Sequence, residues 1–131
     1  MRGNDVDVVR ALFTAWVDGD VDGVLAHASE DVQWHPSIWS SSGATYHGHD
    51  GLREWIGQFA HPHRRIQVRP KEFRQGPSAV AVVGEVAEYS GEMRTVTVSL
   101  GWVFEVADGK VTRGEGFSDP IHALRIAGIW D

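Results

Sequence analysis

One histidine and two glutamates are the residues of this sequence whose types suit acid–base chemistry. His35 stands directly before Pro36, and an imidazole with an unperturbed pKa of about 6.5 exchanges a proton close to neutral pH. Glu85 interrupts an apolar run, and Glu115 stands in a second extended segment. A carboxylate half-buried among apolar side chains needs a cationic partner or takes a raised pKa. These three residues are the candidates for a catalytic acid or base.

Each candidate also has a purely structural interpretation. His35 is compatible with a residue in a pocket wall, hydrogen-bonded to a neighbour. The two glutamates, Glu85 and Glu115, have Arg94 and Arg113 as available partners. Ion pairs of this kind occur at sheet edges and in interfaces between two copies of a chain, and they perturb pKa values without any catalytic role. Both interpretations stay open at the level of the sequence.

Other reactive arrangements lack support in the sequence. Two histidine pairs at spacing i, i+2 are present, His47 with His49 and His61 with His63. They lie in loop or helix-boundary contexts without an acid–histidine framework of recognised spacing, so we predict no metal site. The serines at 40–42 lack a Gly-x-Ser-x-Gly elbow, and no Gly-rich phosphate cradle is present. We expect no cofactor.

Aromatic side chains are the second conspicuous set. Six tryptophans occur in 131 residues, and several large indoles together indicate either a bulky core or the wall of a hydrophobic cavity. Those on helical stripes have core packing as the alternative, whereas those in the loop at 36–48 are more typical of a ligand contact or lid. The candidate ligand contacts are Trp16, Trp34, Trp39, Tyr46, Trp55, Phe59, Trp102 and Phe104.

Four helical segments are predicted to position these residues. Each begins at a residue that can cap a helix and is followed by apolar residues at steps of three and four. The predicted caps are Asn4 or Asp5, Asp20, Asp50 and Asp119. The first stripe consists of Val9, Leu12, Phe13, Trp16 and Val17. Gly19 is predicted to end the first helix, and Gly128 the last.

Five extended segments are predicted at 31–35, 66–74, 79–89, 94–106 and 111–117. Turn residues between the last four, above all Asp108-Gly109, indicate an antiparallel meander. Helices followed by long antiparallel strands indicate an α+β fold with the helices on one face of the sheet. Segment 79–89 is apolar on both faces, so its second face also needs cover. A homodimer through the sheet would supply it.

Composition limits the remaining classes. The length of 131 residues predicts one domain, 1–131. The net charge is −6 with acidic and basic residues mixed, so we expect no nucleic-acid partner. The absence of cysteine excludes disulfides and is compatible with a reducing cytosol. No signal-peptide pattern or window of about 18 apolar residues occurs, and we therefore expect a soluble, cytoplasmic protein without a membrane partner.

Local strings in a fixed order resemble the SnoaL-like polyketide cyclase and ketosteroid isomerase superfamily, also called nuclear transport factor two-like. The strings lie at 19–23, 31–36, 46–51, 108–111, 117–119 and 123–129. The resemblance implies a conical, curved antiparallel sheet wrapped around N-terminal helices, of the cystatin-like α+β barrel type. It also implies a central pocket for a small apolar molecule and dimerisation through the sheet.

The resemblance also assigns roles to the candidate residues. His35 falls where the isomerases place their catalytic aspartate, whereas Leu12 and Trp102 stand where those enzymes place the donors to an enolate oxygen. The epoxide hydrolases of this superfamily hold an attacking water with an acid–arginine–acid set. Glu85 corresponds approximately to one of these acids, but Val83 and Gly116 stand at the positions of the arginine and the second acid. Glu115 lies one residue from the acid that polyketide cyclases carry on the last strand, and one residue reverses the direction of a strand side chain.

Two functions follow from these observations with nearly equal support. The first is a cofactor-independent enzyme of isomerase, cyclase or hydratase type, with His35 as base and a polyketide-, steroid- or terpenoid-like substrate. The second is a binding protein that performs no chemistry, because the tyrosine and acid positions of active relatives are replaced. A dimerisation module with a vestigial cavity is a third interpretation.

Overall fold

The structure of this chain is a computed structural model, which describes residues 4–36, 45–57, 65–90 and 92–129. Those ranges contain four helices: α1 (Asn4–Val17), α2 (Val21–Ala26), α3 (Gly48–Gly57) and α4 (Pro120–Ile126). They also contain six strands: β1 (Ala28–His35), β2 (Tyr46–His47), β3 (Arg65–Gln75), β4 (Val80–Ser90), β5 (Met93–Ala107) and β6 (Lys110–Phe117). The predicted α+β class is confirmed.

Several helix ends follow the predicted local chemistry. The Asp20 side chain accepts a hydrogen bond from the Gly23 N–H at the start of α2, and the Asp119 side chain does the same for the Ile121 N–H at the start of α4. Such caps satisfy backbone donors that have no partner inside the helix. Gly19 follows α1 with a φ of +73°, which is the left-handed conformation that ends many helices.

The six strands form one sheet in the order β2-β1-β6-β5-β4-β3. Strands β3 to β6 are the predicted antiparallel meander. Asp108 and Gly109 both have positive φ, at 53° and 77°, as a tight hairpin turn between β5 and β6 requires. Among the described residues the edge strands β2 and β3 do not pair with each other, so the curved sheet stays open and is not a closed barrel.

Two features of the sheet differ from the prediction. Strand β1 pairs with β6 in parallel, whereas an entirely antiparallel sheet was expected. The two-residue strand β2 pairs with β1 inside the segment predicted as a loop. Gly48, with a φ of +70°, turns β2 directly into α3, so that helix begins two residues before the predicted cap at Asp50. Pairing of this kind depends on distant partners and is not visible in a local pattern.

The inner face of the sheet carries the main core, and α1 packs across it. Phe13 lies at the centre of this core, with ring centroids 5.6 Å from Phe73, 5.2 Å from Trp102 and 5.5 Å from Phe104 in edge-to-face contacts. The stripe predicted for α1 is buried from Val9 to Phe13 and partly exposed at Trp16. Val17, the last predicted member, is 49% exposed.

The outer face of the sheet is partly covered by α4. Ala81 and Val103 pack against Ala123, Leu124 and Ala127 of that helix. A Cβ at Gly101 would lie 2.6 Å from the Cβ of Ala123, so the glycine allows α4 to sit directly on β5. The same chain therefore covers apolar residues that we expected a second copy to cover. The homodimer itself stays a prediction.

Candidate functional site

A hollow lies between the three N-terminal helices and the inner face of the sheet. Its volume is about 20 Å³, which is room for roughly one water molecule. Every residue of its wall is apolar. The wall consists of Leu12, Trp16, Val24, Ala28, Val32, Trp34, Leu52, Trp55, Ile56, Phe104, Val111 and Gly114. The implied central pocket is thus present as a small, wholly apolar space.

Three indoles, here called the tryptophan triad, form much of this wall. Trp16 comes from α1, Trp34 from β1 and Trp55 from α3. Their ring centroids lie 6.2 Å (Trp16 to Trp34), 5.1 Å (Trp16 to Trp55) and 4.9 Å (Trp34 to Trp55) apart, all edge to face. Aromatic rings favour this geometry because the positive edge of one meets the negative face of the next.

Strand alternation in β1 decides which side chains reach the hollow. Trp34 pairs with Gly114 of β6, and a Cβ at Gly114 would lie 2.5 Å from Cε3 and 2.6 Å from Cζ3 of the indole. The two residues therefore face the same side, and the glycine leaves the space that the ring occupies. Neighbouring strand residues point to opposite faces, so Trp34 faces the hollow and His35 faces outward.

His35 consequently does not line the hollow, and the expected position in its wall is wrong. The parallel register pairs His35 with Glu115 on the outer face. Thr45 Oγ1 lies 2.9 Å from Nδ1 of the ring. Nε2 is buried and has no hydrogen-bond partner among the described residues. A role for His35 in acid–base chemistry stays a prediction, now tied to the outer face.

The surroundings of His35 keep its ring neutral at pH 7. Burial lowers the pKa of the imidazole below its usual 6.5, and the Arg113 guanidinium lowers it further. Glu115 acts in the opposite direction, and His47 adds a smaller lowering effect. Arg113 Nη2 donates to Glu115 Oε1 at 3.0 Å, so part of the field of each charge is cancelled by the other. A neutral imidazole accepts a proton, but here only from a group on the outer face.

Glu85 also lies on the outer face, away from the hollow. Its carboxylate is 3.5 Å from Arg69 Nη1 and 3.4 Å from Lys71 Nζ, and Arg69 also donates to the Tyr89 hydroxyl at 2.6 Å. Glu85 is thus a paired carboxylate, with two partners, Arg69 and Lys71, that the sequence did not indicate. Nothing in this arrangement tests a catalytic role for Glu85, but the carboxylate does not reach the apolar wall.

Glu115 pairs with Arg113, as the sequence suggested. The register of β5 with β6 sets Glu115 opposite Val103, whose side chain packs toward α4 on the outer face. Gly114 and Gly116 flank Glu115 and face inward, so the last strand presents no acid to the hollow. The one-residue offset noted in the sequence therefore separates Glu115 from the wall.

The aromatic candidates divide into three groups. Trp16, Trp34, Trp55 and Phe104 line the hollow. Trp102 is 3% exposed and packs into the core beside Phe13, and half-buried Tyr46 packs against that core from β2. Neither of these two is part of the wall, so the structure does not support them as ligand contacts in this hollow. Trp39 and Phe59 lie outside the described residues.

Sequence reasoning missed most of the aliphatic wall, because residues such as Val24, Val32 and Leu52 carry no signal that separates a cavity wall from a core. Gly114 is the exception. A glycine in the middle of a strand indicates close approach by another group, and here that group is the Trp34 ring.

No three histidine, aspartate or glutamate side chains gather in a metal-binding arrangement within the described part of the chain. His49 Nε2 lies 3.0 Å from the Ala28 carbonyl oxygen, and His61 and His63 fall outside that part. No helix in the described ranges has the length and apolar character needed to cross a bilayer.

Comparisons with known proteins agree on the fold. A family model described as SnoaL-like domain matches residues 9–114. An NTF2-like protein of unknown function from Burkholderia pseudomallei is 25% identical, with 95% of this chain and 98% of that chain covered and a TM-score of 0.76. No curated protein matches.

Two more solved structures show likeness in fold alone. TerC, co-crystallised with polyporic acid, is 22% identical over 96% of this chain and 99% of its own, with a TM-score of 0.75. An LEH-like epoxide hydrolase from M. tuberculosis is 20% identical over 95% of this chain and 88% of its own, with a TM-score of 0.71.

Proposed function

This chain belongs to the SnoaL-like domain family, and from that premise we propose that it binds a small, mostly apolar molecule in the hollow. The observation that carries the proposal is the wall itself, which is apolar throughout and contains no ionisable side chain. Acid–base catalysis needs such a group within hydrogen-bond reach of the substrate. Apolar cavities, by contrast, take up apolar molecules readily. The wall therefore favours binding over chemistry.

The entrance to the hollow is marked by the partly exposed members of its wall. Ten of the twelve wall residues are buried, and only Trp16 and Ile56 are partly exposed. Trp16 lies one residue before the end of α1, and Ile56 one residue before the end of α3. A ligand would therefore enter between the C-terminal ends of these two helices.

Binding requires the triad to open, because the hollow of about 20 Å³ is far smaller than the roughly 300–1,000 Å³ of typical ligand pockets. Trp16 is the partly exposed member, and its movement would break its contacts with Trp34 and Trp55. Each aromatic pair contributes about 0.5–1.5 kcal/mol, so the two together cost roughly 1–3 kcal/mol. A ring compound that takes the place of the Trp16 ring against Trp34 and Trp55 restores contacts of the same kind.

The test uses indane, a bicyclic hydrocarbon, titrated into the protein with tryptophan fluorescence and calorimetry as readouts. Ala28→Val adds two methyl groups inside the wall and is expected to weaken binding at least tenfold. Ala107→Val makes the same change at an exposed position of β5 and should bind like the wild type. Absence of saturable binding to the wild type, or equal binding by both variants, contradicts the proposal.

A second candidate function is the cofactor-independent acid–base enzyme with His35 as base and a polyketide-, steroid- or terpenoid-like substrate. Its support is the neutral imidazole, whose Nε2 has no partner within the described ranges. Incubation with a cell extract followed by native mass spectrometry separates the two functions. An extract compound that is chemically altered by the wild type but not by His35→Gln favours the enzyme, whereas a compound recovered intact favours the binder.

The proposal includes a homodimer through the outer face of the sheet. An isologous interface pairs a surface with itself, and a face that carries both charge signs, as in the Arg69–Glu85 and Arg113–Glu115 pairs, suits such a contact. Light scattering behind size exclusion should give twice the chain mass of 14.5 kDa. A mass of one chain at every concentration tested would remove the dimer from the proposal.

A further inference from the structure

We propose that Trp16 is a plug, whose indole occupies the ligand position while the protein is free. The ligand is a flat aromatic molecule that takes the place of this ring. The assignment rests on the proposed binding function and extends the site past the wall of the hollow, to Phe13 and Trp102.

Four aromatic rings surround the Trp16 indole. Its ring centroid lies 5.4 Å from that of Phe13, 6.2 Å from Trp34, 5.1 Å from Trp55 and 6.4 Å from Trp102. The last three contacts are edge to face, with interplanar angles of 84°, 60° and 77°. Aromatic rings favour such contacts with one another, and aliphatic groups do not form them. The space that the indole fills is therefore lined for a flat aromatic ring.

Exposure distinguishes Trp16 from its four neighbours. Phe13, Trp34, Trp55 and Trp102 are between 1% and 5% exposed, whereas Trp16 is partly exposed. It lies one residue before the end of α1. A change between staggered rotamers moves such a side chain outward without displacing a buried group. Trp16 is thus the ring of this set that can leave.

The neighbouring rings are fixed by further partners. Phe13 also meets Phe73 and Phe104, with ring centroids 5.6 Å and 5.5 Å away. Trp34 is stacked on Phe104, and Trp55 packs against Trp34. These rings therefore keep their positions when the indole leaves, and they form a site that is ready for a ligand.

Departure of the indole joins the hollow to rings outside its wall. Phe13 and Trp102 contact Trp16 without being part of the wall. An incoming molecule then reaches these two rings as well as Trp34 and Trp55. The combined space is that of one indole plus the hollow of about 20 Å³. A bicyclic ring compound fits this space, although the hollow by itself has room for roughly one water molecule.

The experiment follows ring contacts in the wild type by NMR, with indane as the ligand. In the free protein, the ring protons of Trp16 should show nuclear Overhauser effects to Phe13 and Trp102. Saturating indane should abolish these effects and replace them with effects from the protons of indane to the same two rings. The measurement needs no substitution, so its outcome does not depend on whether a variant folds.

Two matched variants and a second probe test the plug and the ligand class. Trp16→Phe makes the plug smaller and should tighten indane binding about two- to tenfold, which is the effect of one aromatic pair. Trp55→Phe makes the same change in a ring that stays and contacts the ligand, so it should weaken binding. Hydrindane, the fully saturated counterpart of indane, should bind the wild type about two- to tenfold more weakly than indane.

Each contrary result has a defined meaning. Indane binding with the Trp16 effects retained overturns the plug and leaves the proposed function standing. Tighter binding by both variants shows that a larger hollow is sufficient, and this result also overturns the plug. Equal affinity for indane and hydrindane overturns the aromatic ligand class. Failure of indane to bind the wild type overturns the proposed function as well.

Discussion

Gly114→Ala tests the packing on which the hollow depends. A methyl group at this position would lie 2.5 Å from Cε3 of Trp34 and 3.0 Å from Cε1 of Phe104. Carbon atoms pack best at about 3.5–4.0 Å, so the ring or the strand must move by roughly 1 Å. Neither neighbour yields easily, because Trp34 is stacked on Phe104 with ring centroids 6.0 Å apart and is held by Trp55 on another side.

The expected cost follows from this geometry. Overpacking a buried site costs about 1–3 kcal/mol, and the hollow that the ring borders within the described residues has a volume of about 20 Å³. We expect Gly114→Ala to lower the free energy of unfolding by about 2 kcal/mol. For a domain of this size, that corresponds to a fall in melting temperature of roughly 6–12 °C.

Urea unfolding followed by far-ultraviolet circular dichroism is the suitable assay, because tryptophan fluorescence responds to ring movement by itself. Gly57→Ala is the matched control. A Cβ at Gly57, the last residue of α3, meets no atom of the described residues within 4 Å, so the same change should stabilise the protein by about 0.4–1 kcal/mol. A Gly114→Ala variant within about 0.5 kcal/mol of the wild type, beside a stabilised control, would refute the reasoning.

Three further predictions concern other parts of the fold. Asp119→Ala removes the side-chain cap on the Ile121 N–H and should lower the free energy of unfolding in urea by about 0.5–2 kcal/mol. Asp119→Asn should retain most of the capping stabilisation, because asparagine is also a good N-cap residue. An equal loss of stability in both variants would contradict the cap. Glu85→Gln breaks a half-buried ion pair with Arg69 and should lower the free energy of unfolding by about 1 kcal/mol or less. Because salt screens the pair, the difference between variant and wild type should be smaller in 1 M salt. A loss of stability that does not depend on salt would argue against an ion pair. His35 has a lowered pKa in the folded protein, so its contribution to stability is complete above the unfolded pKa of about 6.5 and is lost as pH falls through the folded pKa. His35→Gln should flatten the pH dependence of the free energy of unfolding below about pH 6.5, and an unchanged slope would show that another group causes it.

Much of the candidate site could be predicted from the sequence. The spacing of Leu12, Phe13 and Trp16 predicted the helix face that meets the sheet, and the order of local strings predicted an apolar space behind it. Adjacent strand residues face opposite sides, so Trp34 and His35 could not both belong to one wall. The sequence contained this conflict but not its solution, because either residue could have been the inward one.

The ion-pair partners of the charged residues were harder to predict from the sequence. Arg69 and Glu85 are separated by many positions along the chain and meet because β3 and β4 pair in one register. The sequence named Arg94 and Arg113 as available partners of the two glutamates and gave no signal for Arg69. For Glu115, the partner is Arg113, which lies two positions away on the same strand and was one of the two available partners that the sequence offered.

The sequence by itself determined the local elements: the capped helices, the Asp108-Gly109 hairpin, the meander and the supply of large aromatic rings. These depend on residues close to one another along the chain, where propensity and periodicity act. Only the tertiary structure decided that β1 runs parallel beside β6, because that pairing joins residues about eighty positions apart. The register turned Trp34 inward and His35 outward, and the packing of three helices on the sheet set the hollow at about 20 Å³. Side-chain direction across a sheet and the space left between packed elements are properties of contacts between distant segments, so no local pattern encodes them.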